Sequence, residues 1–120
     1  IKEESDIDQL CSTNHNLTFK EIKQKRREIV EKRSKILSPL KIKINELEEK
    51  IFHLEGEKDL VNDEIIKLSS KGGGDQMVPL SKKLKSIENE LDKLYLLNDQ
   101  TIDLFQEESD KFEKLLSSFN

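Results

Sequence analysis

His53 follows Glu49 by four residues and precedes Glu57 by four, a spacing that sets an imidazole and two carboxylates on one face of a helix. A histidine among solvated carboxylates reads as surface rather than as a metal centre. Cys11 and His15 have CxxxH spacing, but the sequence has one cysteine and offers no further ligands there, whereas zinc prefers four. The carboxylate pairs Glu48-Glu49 and Glu107-Glu108 resemble acid–base partners only if a pocket raises one pKa and excludes water. No serine has a base and an orienting acid in the surrounding pattern. The expectation is a chain with no catalytic residues, no metal and no cofactor.

The densest reactive group is cationic. Lys20, Lys23, Lys25, Arg26, Arg27, Lys32, Arg33 and Lys35 crowd one stretch, and from Phe19 to Ile44 ten Lys and Arg stand against three Glu. That local balance of +7 sits inside a chain whose net charge is -4. Positions 20, 23 and 27 share a helical face, as do 25, 32 and 35. Neutralising nucleic-acid phosphates needs such a density of cations and gives salt-dependent binding without sequence preference. The competing reading is a solvated face paired with Glu107, Glu108, Asp110 and Glu113, with Arg33 and Lys35 nearest Glu113.

The elements that position these residues follow from the aliphatic pattern. Only 33% of the 120 residues are hydrophobic and 38% are charged, too little apolar surface to fill a globular core. Yet Leu37, Leu40, Ile44, Leu47, Ile51, Leu54, Val61, Ile65 and Leu68 alternate steps of three and four with one skip at Lys58, the a and d positions of a heptad. Leu80, Leu84, Ile87, Leu91 and Leu94 repeat the alternation. Asn98 and Thr101 interrupt it, and Phe105, Phe112, Leu115 and Phe119 resume it. Phe105, Phe112 and Phe119 have the spacing of a base-stacking platform, but their phase is that of the leucine seam, so they read as core against Ile29, Ile36 and Leu40. Asn98 reads as a polar position that sets register.

Gly72-Gly73-Gly74 separates the two stripes, and helix cannot run cheaply through three glycines at roughly 1 kcal/mol each. The expected fold is therefore all-α, an antiparallel two-helix coiled-coil hairpin. Its first arm spans about 18-70, capped by Thr18 and Glu21, its turn 71-78 and its second arm about 79-118, after a lead-in over 1-17. The first helix is expected to be kinked or broken near Pro39, where the stripe shifts from Ile22, Ile29 and Ile36. In register, Leu68 lies near Leu80, Ile51 near residues 97-98 and Leu40 near Glu108, leaving Phe19 to Glu28 as an overhang. The triple glycine is also compatible with an engineered linker or with a hinge between two parallel dimeric coiled coils. Absence of a long apolar run predicts no membrane span, the lone cysteine suggests a cytoplasmic setting, and the start at Ile1 suggests a piece of something longer.

The segments LTFKEIKQKRREI, ILSPLKIKINELEEKIFHLEGEK and, after the loop, VPLSKKLKSIENELDKLY resemble in order the C-terminal coiled-coil domain of ABC-F ATPases, particularly the Uup-like branch. The resemblance covers about residues 17-116, and the proline in the first helix, the loop position and Tyr95 are its less generic elements. It implies an appendage that contacts ribosomal RNA or DNA as an accessory to ATPase domains upstream in the same polypeptide. No phosphate-cradling Gly-x-x-x-x-Gly-Lys-Ser/Thr and no ABC signature occur in this chain. The alternative is a protein-interaction or spacer coiled coil of an unrelated cytoskeletal or tethering protein, whose exposed heptad faces recruit another helix or a second copy.

Overall fold

A computed structural model describes residues 18–119, which form two long helices packed together as a hairpin. Helix α1 runs Phe19–Ser70 (52 residues), a short 3-10 turn covers Gly74–Gln76, and helix α2 runs Met77–Ser117 (41 residues). The lead-in, with Cys11 and His15, lies outside the described residues. Among the described residues no helix is long and apolar enough to cross a membrane.

Thr18 caps α1 as its sequence predicts. Its hydroxyl accepts the Glu21 backbone N–H at 3.2 Å, satisfying one of the helix's orphan donors, while its carbonyl accepts that of Ile22 at 2.9 Å as the first intrahelical bond. At the other end the Gly73 N–H reaches the Leu68 carbonyl at 2.6 Å and the Gly72 N–H that of Ser69 at 3.3 Å, the paired bonds of a glycine-closed helix end. Gly72, Gly73 and Gly74 all have positive φ, at 96°, 67° and 72°. A β-carbon on Gly73 would also sit 2.8 Å from Met77 Cγ, whereas Gly72 and Gly74 face open space. Each Gly→Ala change is expected to destabilise the hairpin by about 1–2 kcal/mol through the left-handed backbone. Gly73→Ala should cost the most, and urea melts of the three variants check the ranking.

Of the kink or break expected near Pro39, the break is not formed: helix α1 continues through the proline, which removes one N–H, with Leu37 buried beside it. Helix α2 begins at Met77 rather than after Pro79. Proline fits the first turn, where its missing N–H would have no intrahelical partner.

The packing of the described residues divides into two compact units, one joining α1 up to Lys41 with Asp103 to Phe119 (the terminal unit), the other being Ile42–Ile102 (the turn unit). In the turn unit Ile51, Val61, Ile87 and Leu91 form the buried core, flanked by Leu54, Ile65, Leu80, Leu84 and Leu94, which are the seam residues that the heptad predicted. Thr101 is buried there because its hydroxyl donates to the Leu97 carbonyl at 2.7 Å, so a polar residue occupies a seam position with its hydrogen bond made. Asn98 is different: its amide oxygen is buried and accepts nothing. Asn98→Leu is therefore expected to raise stability by about 1 kcal/mol, since an unsatisfied buried acceptor is removed. The same change should admit slipped pairings. Disulfide trapping at alternative registers, read beside the melt, checks both halves of that prediction.

In the terminal unit Ile29, Phe112, Leu115 and Phe119 are buried together, with Ile22, Ile36 and Leu116 packed against them. Phe112 and Phe119 are thus core, as their phase predicts, while Phe105 is half-buried. The overhang expected from Phe19 to Glu28 is shorter than its register suggested. Leu115, Leu116 and Phe119 pack over Ile22 and Ile29, so the second arm reaches back as far as Ile22.

Candidate nucleic-acid interface

Helix α1 positions all eight predicted cations, and the structure sorts them by their neighbours. Lys20, Lys23, Arg27, Lys32 and Lys35 are exposed, while Lys25, Arg26 and Arg33 are half-buried along the packed face. Arg26 has a structural use: its guanidinium donates to the Leu116 carbonyl at 3.1 Å. That carbonyl belongs to the last turn of α2, where acceptors lack intrahelical donors and the helix dipole favours a cation. Sequence spacing gave no sign of it, because the contact depends on where α2 ends, 90 residues away in sequence.

The expected neutralisation by α2 is not formed. Glu108 pairs with Lys111 of its own helix at 3.6 Å, and Asp110 accepts the Gln106 amide at 3.0 Å. Among the described residues no ion pair within 4 Å links Arg33 or Lys35 to Glu113, or any of the α1 cations to Glu107, Glu108 or Asp110. The physical reason is geometric. Local i,i+3 and i,i+4 partners lie within easy reach on one helix, whereas bridging two helices requires long side chains to be held in one rotamer at small net gain. Among the described residues, Lys20, Lys23, Arg27, Lys32 and Lys35 are thus an exposed positive surface that no carboxylate meets within ion-pair distance.

Among the described residues no group of three or more His, Cys, Asp and Glu is arranged to hold a metal ion, and Glu49, His53 and Glu57 are all exposed. The His53 ring instead meets Phe52 edge-on, 6.0 Å between centroids. On α2, Lys82, Lys85, Ser86, Asn89, Glu90 and Lys93 line an open groove along one outward helical face. The sequence reading passed over this second lysine group, which i, i+3, i+4 and i+7 spacing makes visible.

Tyr95 and Glu55 form a further contact that spacing alone did not flag, the phenol donating to the Glu55 carboxylate at 2.6 Å. That hydrogen bond, partial loss of water, and the negative charges of Glu55 and Asp92 hold the phenol's proton above the usual tyrosine range. Since the folded pKa is raised, whatever stability the contact contributes is fully present below the ordinary phenol pKa and is lost as pH rises through the raised value. Tyr95 is the one tyrosine in a chain without tryptophan, so its ultraviolet titration is directly readable. Glu55→Gln is expected to move the midpoint down toward free tyrosine, and Asp92→Asn to move it less. A midpoint indifferent to Glu55→Gln would remove the hydrogen bond as the cause.

The fold and this surface together define a helical hairpin with a cationic stretch on its first helix. Comparison with protein families, with curated proteins and with solved structures returns no match.

Proposed function

We propose that this chain is a non-catalytic coiled-coil appendage that contacts nucleic acid through the cations of α1, of the kind that ABC-F-type ATPases carry at their C-terminal end. The observation that carries the reading is the concentration of Lys20, Lys23, Arg27, Lys32 and Lys35 on exposed positions of one continuous helix, with no carboxylate of α2 in ion-pair contact with them. A polyphosphate backbone satisfies such a surface by releasing condensed counterions, which makes binding steeply salt-dependent and indifferent to sequence. Packing of Phe112, Leu115 and Phe119 against Ile22, Ile29 and Ile36 holds the cationic helix in place within the terminal unit. Chemistry on ATP belongs in this reading to domains upstream.

The second reading, a protein-interaction or spacer coiled coil, draws on Phe52, Leu60 and Ile66, all well exposed on α1. Large exposed apolar side chains often mark protein contacts. Retention of the purified chain on structured RNA and on duplex DNA, measured across a salt series, separates the two. Tight retention at low salt that collapses with added salt supports the first reading. A chain that passes through both matrices at low salt is not a nucleic-acid appendage.

A further inference from the structure

The Tyr95–Glu55 hydrogen bond fixes which sides of the two helices adjoin in the turn unit. On α1, Glu48, Phe52, Glu55, Asp59, Asp63 and Ile66 fall within roughly 80° of helix surface at about 100° per residue, and no Lys or Arg shares that arc. Continuing onto α2 on the Tyr95 side are Glu88, Asp92 and Asp99, with Lys85 the one cation among them. Phe52 is 73% exposed and Ile66 66%. Charge of one sign and large apolar groups thus share a side, and the phenol of Tyr95, held protonated beside Glu55 and Asp92, registers the negative field there.

The terminal unit carries the complementary pattern. Phe19, Lys20, Lys23, Arg27 and Val30 lie within about 100° of the α1 surface, and no carboxylate of residues 19–30 shares it. Phe19 is 84% exposed and Val30 50%. We propose that the acidic, aromatic side of the turn unit is a self-association surface, occupied by the Phe19–Val30 face of a second copy of this chain. Cations meet carboxylates, and Phe19 and Val30 meet Phe52 and Ile66. Two acidic sides repel, as do two basic ones, so like does not pair with like and the basic face of one copy must engage the acidic side of the other. The attraction is between exposed charges and weakens with salt. Lys20, Lys23 and Arg27 serve both this surface and the phosphate contacts proposed above, so nucleic acid and a second copy compete for them.

Sedimentation velocity of the whole chain tests the proposal, with no nucleic acid present, so its outcome is independent of the phosphate-binding reading. Two charge-reversed chains are compared with the wild type, K20E/K23E/R27E, and E48K/D59K/D92K, which leaves the Tyr95–Glu55 pair intact. Wild type is expected to double in mass at about 20 mM salt and to return to monomer near 500 mM. Each reversed chain alone, with helicity unchanged by circular dichroism, is expected to be monomeric, and an equimolar mixture of the two to reassociate, because every cross-contact is again between opposite charges. The neutral variant E48Q/D59N/D92N, which introduces no cation into the hairpin, should weaken association at least about tenfold. A wild type that stays monomeric at low salt up to about 200 μM overturns the proposal. So does association that survives either reversal, or a mixture that fails to reassociate.

Discussion

Replacing Lys20, Lys23, Arg27 and Lys32 by Glu is expected to weaken retention on structured RNA or duplex DNA at low salt by at least about a hundredfold. Four phosphate contacts give a slope of roughly -3 to -4 in log affinity against log salt, and the reversed chain should lose that slope as well as the affinity. Arg26 is left in place, because it donates to the Leu116 carbonyl and its loss would be felt in folding before binding. The informative control reverses Lys82, Lys83, Lys85 and Lys93 on α2, which changes net charge by the same amount on a different surface. If both quadruple variants lose retention equally, long-range charge rather than the α1 surface is responsible and the assignment of the site falls. If the α1 set alone abolishes retention and salt slope together, the contacts are local.

The hairpin was legible because its information is periodic and local. Heptad spacing from Leu37 to Leu68 and from Leu80 to Leu94 survives into the buried core of Ile51, Val61, Ile87 and Leu91, and the helix-ending glycines are all at positive φ. What stayed hidden depends on partners distant in sequence. Pro39 is tolerated within α1 because packing around it outweighs one lost N–H, a balance that no local propensity contains. The shortened overhang and the use of Arg26 follow from where α2 ends, which fraying rules leave uncertain by a turn. The acidic side of the turn unit is a further case: Glu55 and Tyr95 each look like ordinary surface until the register places them together, and only then do Glu48, Asp59, Asp92 and Asp99 gather on one side. The cationic stretch was plain from composition, but its division into the exposed Lys20, Lys23, Arg27, Lys32 and Lys35 and the half-buried Lys25, Arg26 and Arg33 required the shifted stripe of Ile22, Ile29 and Ile36 to be seen packed.

Leu91→Ala is expected to destabilise the turn unit by about 2–3 kcal/mol, the lower part of the range for buried leucine truncations. Leu91 is the most buried hydrophobic of the seam, at 2% exposure, and it packs with Ile51, Val61 and Ile87. Truncation removes its dispersion contacts and opens a void between two helices. In a globular core that void would be walled on every side. Here the seam is one side chain deep, so the helices can draw together and water can enter from the flanks, which keeps the cost below the largest measured values. Leu60→Ala removes the same atoms from a residue that is 67% exposed, and a change within about 0.5 kcal/mol is expected. Urea melts of the two variants against wild type read the difference directly, provided their m-values match. Equal losses at Leu91 and Leu60 would mean that the outer face is buried to the same degree as the seam. The intramolecular pairing that positions every other residue discussed above would then have to give way to an assembly of chains.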